Sequence, residues 1–231
     1  MFYWGNPIFF TSMLLLIPGI ILSLYAQFKV KSTYRQYSQK QAASGFTGAQ
    51  ASRRLLDQAG LTDIAIEEIP GEITDHYDPR DRVLRLSQGV ARSNSLAALG
   101  IAAHETGHAI QDSKGYVPMK IRSAVVPAAS FGSSLGPMIF FAGLIFSTFR
   151  PLMTIGIVLF TAAVAFQIVT LPVEFDASSR AMALLQSNGL VVQGEAKGAR
   201  KVLTAAALTY VAAALMAILS LVRMIIISRS N

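Results

Sequence analysis

Four long stretches of apolar residues constrain this 231-residue chain more than any other feature of its sequence. They cover residues 7–28, 124–149, 151–171 and 203–227. A helix that crosses the hydrocarbon core of a bilayer takes about 20 apolar residues, and each stretch is long enough. Only 14% of the residues are charged, well below the roughly 25% of soluble domains. The sequence therefore predicts an α-helical membrane protein with four transmembrane helices.

The first two predicted spans carry further signals. The first follows the aromatic segment MFYWGN, which suits a membrane interface. A cleaved signal peptide is the alternative for this span, but no positive charge precedes it and its apolar run is longer than such peptides have. In the second span, Pro127, Gly132, Gly136 and Pro137 predict a kink near its start.

The two polar regions, 29–122 and 172–202, are separated by two predicted crossings and so lie on the same side of the membrane. The first region carries 13 Lys and Arg residues and the second carries four, out of 20 in the chain. The positive-inside rule makes this side the cytoplasm and places both termini outside. This topology, with anionic lipid headgroups, accounts for the net charge of +7, so we exclude a nucleic-acid partner.

Residues 29–122 read as a small α/β domain. TGAQASRRLLDQAGL predicts a short helix with a capping box of Thr47 and Gln50, ended by Gly60. DIAIEEIP and RVLRLS alternate as strands do, and a turn at DPRD precedes the second. A helix of about five turns follows, with Ser93 or Asn94 as its N-cap. The shorter region, 172–202, is predicted to be a polar connection that contains a helix.

The helix after residue 94 contains the segment AAHETGHAIQ, which uses two of the three histidines of the chain. Residues four apart lie on the same face of a helix, so His104 and His108 can bind one metal ion. Glu105 lies about 100° around the helix, where it suits a general base acting on water at the metal. This pattern also arises by chance. Imidazole and carboxylate ligands favour zinc among divalent ions.

A third ligand has to come from elsewhere, and the chain has no cysteine. Gln111 and Lys114 stand where a metzincin motif would continue, which excludes that class. The choice is therefore His76 or a carboxylate on the same side of the membrane. The segment LPVEFDASSRAMALLQ leaves the third span as a helix, and we predict Glu174 within it as the ligand.

Two further acids bear on this prediction. Asp176 faces another way on the same helix, and we expect it to accept a hydrogen bond from a ligand histidine. Glu195, in the polar connection, is the weaker alternative as ligand. The plainer interpretation of Glu174 and Asp176 is that both cap an interfacial helix and face water.

The segments AAHETGHAIQD and LPVEFDASSRA together resemble the YugP-type family of membrane-bound neutral zinc metallopeptidases, and DHYDPRDRVLRLS resembles a further block of that family. The resemblance covers essentially the whole chain. More distantly, the chain is similar to the HtpX and CAAX-prenyl proteases, in which a glutamate on a later helix completes an HExxH site. In those proteins an aspartate comes four residues after that glutamate, whereas Ser178 stands there in this chain.

The resemblance implies a small gluzincin-like α/β peptidase unit built onto transmembrane helices, with Zn²⁺ as cofactor and Glu105 as general base. His76, Tyr77 and Tyr116 are candidates to stabilise the oxyanion, although His76 can also be a plain turn residue. RVLRLS is predicted to be the edge strand on which an extended substrate pairs. We expect a multi-pass protein of a prokaryotic cell membrane, active on its cytoplasmic side against peptides or membrane proteins.

Two other functional classes remain open. A membrane protein could bind metal for structure or regulation without turnover, but such a site has no use for a base beside its ligand. A transporter is the third hypothesis. It usually needs a charged residue within a span, and only Arg223, near the end of the last span, is available. The sequence leaves the oligomeric state and the natural substrate open.

Overall fold

The computed structural model describes residues 7–146 and 149–230. Eight helices and three strands occur in the described residues: α1 (Pro7–Leu14), α2 (Ile17–Ser38), α3 (Gly48–Gln58), β1 (Ala65–Ile69), β2 (His76–Asp78), β3 (Val83–Ser87), α4 (Gln88–Ala91), α5 (Leu96–Ser113), α6 (Val117–Ile145), α7 (Pro151–Ser187) and α8 (Gln193–Arg229).

Four helical segments of the described chain are long and apolar enough to cross a membrane. They are Ile8–Ser38, Val117–Ile145, Pro151–Ser187 and Gln193–Arg229. The predicted architecture of four transmembrane helices with a small α/β part is thereby confirmed. The aromatic segment at residues 1–6 and residues 147–148 of the second predicted span lie outside the described residues.

The described residues divide into two compact units. The first, called the membrane unit here, comprises the described residues up to Ala26, Lys120–Leu171, and those from Thr209 onward. The second, called the polar unit, comprises Gln27–Met119 and Pro172–Leu208. Residues 29–119 of the first polar region and the whole of the second thus belong to one unit.

Glycines in the membrane unit mark a close contact between α6 and α7. A Cβ on Gly132 would collide with the carbonyl oxygen of Leu159, and one on Gly156 would lie 2.6 Å from the carbonyl oxygen of Gly136. Small residues allow such approach, which favours helix association in lipid. Helix α6 runs through Pro127 and Pro137 without interruption. The glycines predicted to kink this helix therefore lie at its packing surface.

The polar connection predicted at 172–202 differs from expectation because it is not a separate helix. Helix α7 continues without a break from the third predicted span to Ser187, and α8 begins at Gln193 and runs into the fourth. Between them lies a short turn in which Gly189 has a φ of 65°. The continuity of α7 matters for the site, because Glu174 and the residues that follow it project from the same helix that forms the third predicted span.

A three-stranded sheet with the order β1-β3-β2 lies in the polar unit. Strand β1 pairs parallel to β3, and β2 pairs antiparallel to it. The predicted capping box of α3 is confirmed, since Thr47 and Gln50 exchange both hydrogen bonds. The predicted N-cap of α5 is wrong. Ser95 caps the helix instead, because its hydroxyl accepts a hydrogen bond from the amide of Ala98.

Candidate metal centre

Helix α5 carries the two histidines through the centre of the polar unit. Its residues Ala102 and Ala103 are fully buried, and the helix contacts α3, α4, β2 and β3. His104 and His108 lie one turn apart, with their ring centroids 4.7 Å from each other and the rings at 82°. They share a face of the helix, as their spacing predicts.

The carboxylate beside these histidines comes from α7. Glu174 is 1% exposed. Its Oε2 atom lies 3.1 Å from His104 Nε2 and 3.5 Å from His108 Nε2. One ligand atom from each of the three residues can be chosen so that all lie within 4.8 Å of one another. The structure therefore brings together the three residues predicted as metal ligands, in a nearly closed site.

A glycine inside the motif permits this convergence. A Cβ on Gly107 would lie 2.9 Å from the carbonyl oxygen of Ala177 and 3.3 Å from its Cα. Helix α7 thus approaches α5 more closely than any residue with a side chain allows. The cost of glycine in a helix, about 1 kcal/mol relative to alanine, is offset by this contact.

The alternative ligands do not join the site. Glu195 accepts hydrogen bonds from the backbone amides of Ala43 at 2.8 Å and Val192 at 3.0 Å, so it ties a loop to the start of α8. His76 is exposed, and its Nδ1 atom lies 2.8 Å from the carbonyl oxygen of Thr74. Both side chains are therefore engaged away from the cluster.

A chain of hydrogen bonds holds the outer nitrogen of His108. The Nε2 amide of Gln111, a fully buried side chain, donates to the carbonyl oxygen of Val173 at 2.8 Å and to Asp176 Oδ2 at 2.7 Å. Because both partners are acceptors, the Oε1 atom of Gln111 faces His108 Nδ1, 2.9 Å away. The proton of the neutral ring then sits on Nδ1, which leaves Nε2 free to bind a metal.

Asp176 is one hydrogen bond further from the histidine than predicted. Its Oδ2 atom also accepts from Arg180 Nε. The outer nitrogen of His104 has a different partner, since Ser178 Oγ lies 3.2 Å from His104 Nδ1. Ser178 occupies the place at which the HtpX-like pattern has an aspartate. The two histidines are thus supported by neutral groups, an amide for one and a hydroxyl for the other.

Glu105, the predicted general base, lies beside the strand β2. Its Oε2 atom accepts a hydrogen bond from the backbone amide of Tyr77 at 3.2 Å. Burial raises the pKa of the Glu105 carboxyl above its usual range. The remaining oxygen, Oε1, is available to take up a proton.

The two tyrosines named as candidates lie differently. The hydroxyl of Tyr77 donates to Asp112 Oδ2 at 2.9 Å, so its side chain is engaged in the core and its amide is the group that reaches Glu105. Tyr116 is half-buried, and the guanidinium of Arg180 lies 5.9 Å from its ring centroid. Neither phenol makes a hydrogen bond to a residue of the metal cluster.

The prediction that RVLRLS forms an edge strand is wrong. Strand β3 is central, because β1 occupies one side of it and β2 the other. The edge next to α5 is β2. In an antiparallel pair the N–H and C=O of one residue point to the same side. Since the Tyr77 amide points to Glu105, the Tyr77 carbonyl faces away from β3 as well.

Comparison with known proteins agrees with this site. Residues 12–229 match the model of a family described as "Putative neutral zinc metallopeptidase". A Bacillus subtilis protein named "Putative membrane protease YugP" is 46% identical over 213 residues, which is 92% of this chain and 94% of that protein. The chain belongs to this zinc metallopeptidase family. No solved structure matches it.

As a zinc metallopeptidase family member, the chain should hold zinc, and the cluster fits that ion. Two imidazole nitrogens and one carboxylate oxygen are the ligands of many catalytic zinc sites. The outer nitrogens of both histidines face hydrogen-bond partners, which orient the rings. His104, His108 and Glu174 are the residues that would hold the ion. The four apolar helices and the similarity to YugP further identify this zinc metallopeptidase as a membrane protein.

The sequence interpretation did not predict three hydrogen bonds around the cluster of this metallopeptidase, those made by Gln111, Ser178 and the amide of Tyr77. Gln111 had a signal, since it lies three residues after His108 on the same side of the helix. Ser178 could have been inferred, because it lies four residues after Glu174 on a continuous helix. The amide of Tyr77 had none, because its direction depends on how β2 pairs.

Proposed function

We propose that this protein is a membrane-embedded zinc endopeptidase of the gluzincin type. His104, His108 and Glu174 bind the metal, and Glu105 is the general base. The observation that carries the proposal is the convergence of the two Nε2 atoms and a buried carboxylate, with Glu105 next to both histidines on α5. A purely structural site would have no need of that acid.

The residues of the chain divide the chemistry among them. When bound, zinc supplies Lewis-acid chemistry to the scissile carbonyl and to a water molecule. The Tyr77 amide orients Glu105 by holding Oε2, so that Oε1 takes the proton of the attacking water. Glu105 then returns this proton to the leaving amine. For His76, on the same strand as Tyr77, to stabilise the oxyanion, its side chain would have to turn from the carbonyl oxygen of Thr74 toward the cluster.

An extended substrate would pair with the outer edge of β2 through the carbonyl of Tyr77, while the amide of that residue holds Glu105. Pairing at a sheet edge uses backbone hydrogen bonds of the peptide, and it does not require a free terminus of the peptide. This supports cleavage within a chain rather than at a terminus. Substrates would be membrane proteins or membrane-associated peptides, because Glu174 follows the apolar stretch 151–171 by three residues. The basic residues of the polar regions support a cytoplasmic site, and the similarity to a Bacillus subtilis protein supports a prokaryotic cell membrane.

Glu105→Gln tests this function against a metal site without turnover. The variant should keep its zinc, measured by metal analysis, and lose peptide cleavage by at least about 100-fold. Glu72→Gln, on an exposed glutamate, makes the same chemical change and should alter neither property. Cleavage that survives in Glu105→Gln, or a wild-type protein that binds no zinc, would contradict the proposal.

A further inference from the structure

A groove of about 450 Å³ lies in the polar unit, between the C-terminal half of α7 and the first turns of α8. Its floor is apolar, formed by the buried side chains of Met182, Leu203 and Ala207. Phe175, which is 47% exposed, lines it as well. The zinc chemistry proposed above makes no use of this groove.

The groove lies beside the metal cluster. Ser178 lines it, and the hydroxyl of Ser178 is 3.2 Å from Nδ1 of His104. Phe175 follows Glu174 directly in the chain. A single side chain therefore separates the groove from one predicted metal ligand, and the residue after another ligand forms part of its lining.

The formal charge in the lining of the groove is positive. Among the residues that the structure describes, no acidic one lines it, and Arg200 supplies its only formal charge. Arg200 is exposed and makes no ion pair with any described residue. Ser179, Gln186 and Thr204 add neutral polar groups around the apolar floor. An occupant with apolar groups and one negative charge would complement these surroundings.

We propose that the groove is a substrate subsite, which takes polypeptide residues on one side of the scissile bond. An apolar side chain fills the floor near Met182 and Leu203, and an acidic residue reaches Arg200. This inference rests on the proposed peptidase function. The groove adjoins His104 through Ser178, and an extended peptide advances about 3.3 Å per residue, so residues a few positions from a bond held at the cluster would extend to it.

Peptide binding tests the subsite separately from catalysis. The full-length Glu105→Gln protein, loaded with zinc in detergent, is titrated with labelled apolar peptides that carry either Asp or Lys at successive positions. The Asp peptide should bind more tightly at one position. Arg200→Glu should shift the ratio of the two affinities toward Lys by about 10-fold, since it turns an attraction into a repulsion.

Two further variants sharpen the test. Lys197→Glu makes the same charge change on an exposed residue of α8 outside the groove, and it should leave the ratio unchanged. Thr204→Trp fills the groove from an exposed position and should weaken the binding of both peptides by about 10-fold. If Arg200→Glu and Thr204→Trp both bind as the parent does, the subsite is wrong, whatever the wild-type protein cleaves. Absence of cleavage by the zinc-loaded wild type would contradict only the peptidase function.

Discussion

At the residue scale, the departure from the HtpX-like pattern concerns the partner of His104. A carboxylate in that place makes an imidazole a stronger ligand, because it accepts the Nδ1 proton more strongly than a hydroxyl does. Here Ser178 stands in that place, and Asp176, two residues before it, bonds to Gln111 and Arg180 instead. Neutral groups, an amide and a hydroxyl, thus hold the outer nitrogens of both histidines.

Ser178→Asp should increase the affinity for zinc by about 10-fold, because the new carboxylate raises the basicity of His104. The measurement is competition with a chelator of known affinity. Ser179→Asp adds the same charge on the next residue, which is exposed, and should change the affinity far less. Equal effects of the two variants would mean that charge alone, rather than the hydrogen bond to His104, matters.

Gln111→Met should reduce the affinity for zinc by about 10-fold to 100-fold, because His108 loses the acceptor that holds its Nδ1 proton. Methionine keeps the volume and helix propensity of the buried side chain. Gln193→Met, at an exposed position of α8, is the matched control. Unchanged zinc affinity in Gln111→Met would show that the hydrogen bond does not support the ligand.

At the scale of elements, the site depends on how closely α5 and α7 approach each other. The histidines and the glutamate belong to helices that are in contact at Gly107 and Ala177. Their ligand atoms converge only while this contact is kept. A shift of several tenths of an ångström between the helices would change the distances from Glu174 to both histidines together.

Gly107→Ala should lower the free energy of unfolding by about 1–3 kcal/mol, because the new methyl group meets the backbone of α7. The same variant should bind zinc more weakly. Gly194→Ala is the control, because nothing lies within 4 Å of its Cβ position and alanine favours the helix. Thermal unfolding and zinc titration measure both properties. A Gly107→Ala protein as stable as Gly194→Ala would contradict the close contact.

At the scale of the whole molecule, the metal cluster joins two parts of the chain that are far apart in sequence. Glu174 comes 70 residues after His104, and two predicted spans lie between them. Bound metal would therefore link Pro172–Leu208 to Gln27–Met119, which together form the polar unit. It would also offset the cost of burying the Glu174 carboxylate.

Removal of zinc with a chelator should therefore lower the thermal stability of the wild-type protein. A free zinc concentration 100 times the dissociation constant corresponds to about 2.7 kcal/mol of stabilisation. Glu105→Gln should show the same zinc dependence, because this residue is not a ligand. Glu174→Ala should lose most of it. If Glu174→Ala kept the full stabilisation by zinc, another residue would have to be the third ligand.

The sequence predicted that His104, His108 and Glu174 lie close together, and the structure brings them together, but the sequence did not predict the surroundings of this group. Helical spacing placed His104 beside His108, and the topology of the spans left Glu174 as a nearby acid. The predicted hydrogen bond from a ligand histidine to Asp176 is wrong, because the side chain of Gln111 lies between Asp176 and His108. Residues two apart in a helix point in different directions, so Asp176 does not face the histidines as Glu174 does. The assignment of RVLRLS to a sheet edge was wrong, because the order of strands depends on which distant segments pair, and the local sequence does not show this.

By itself, the sequence determined the four apolar spans, the positions of the capped helix α3 and of α5, and the candidate zinc ligands. These features depend on periodicity and on residue chemistry, which are local. Only the tertiary structure decided three contacts: the hydrogen bond from β2 to Glu105, the close approach of α7 to α5 at Gly107, and the contact of the Ser178 hydroxyl with His104. Each of these depends on the distance and direction between elements remote in sequence, which packing alone sets.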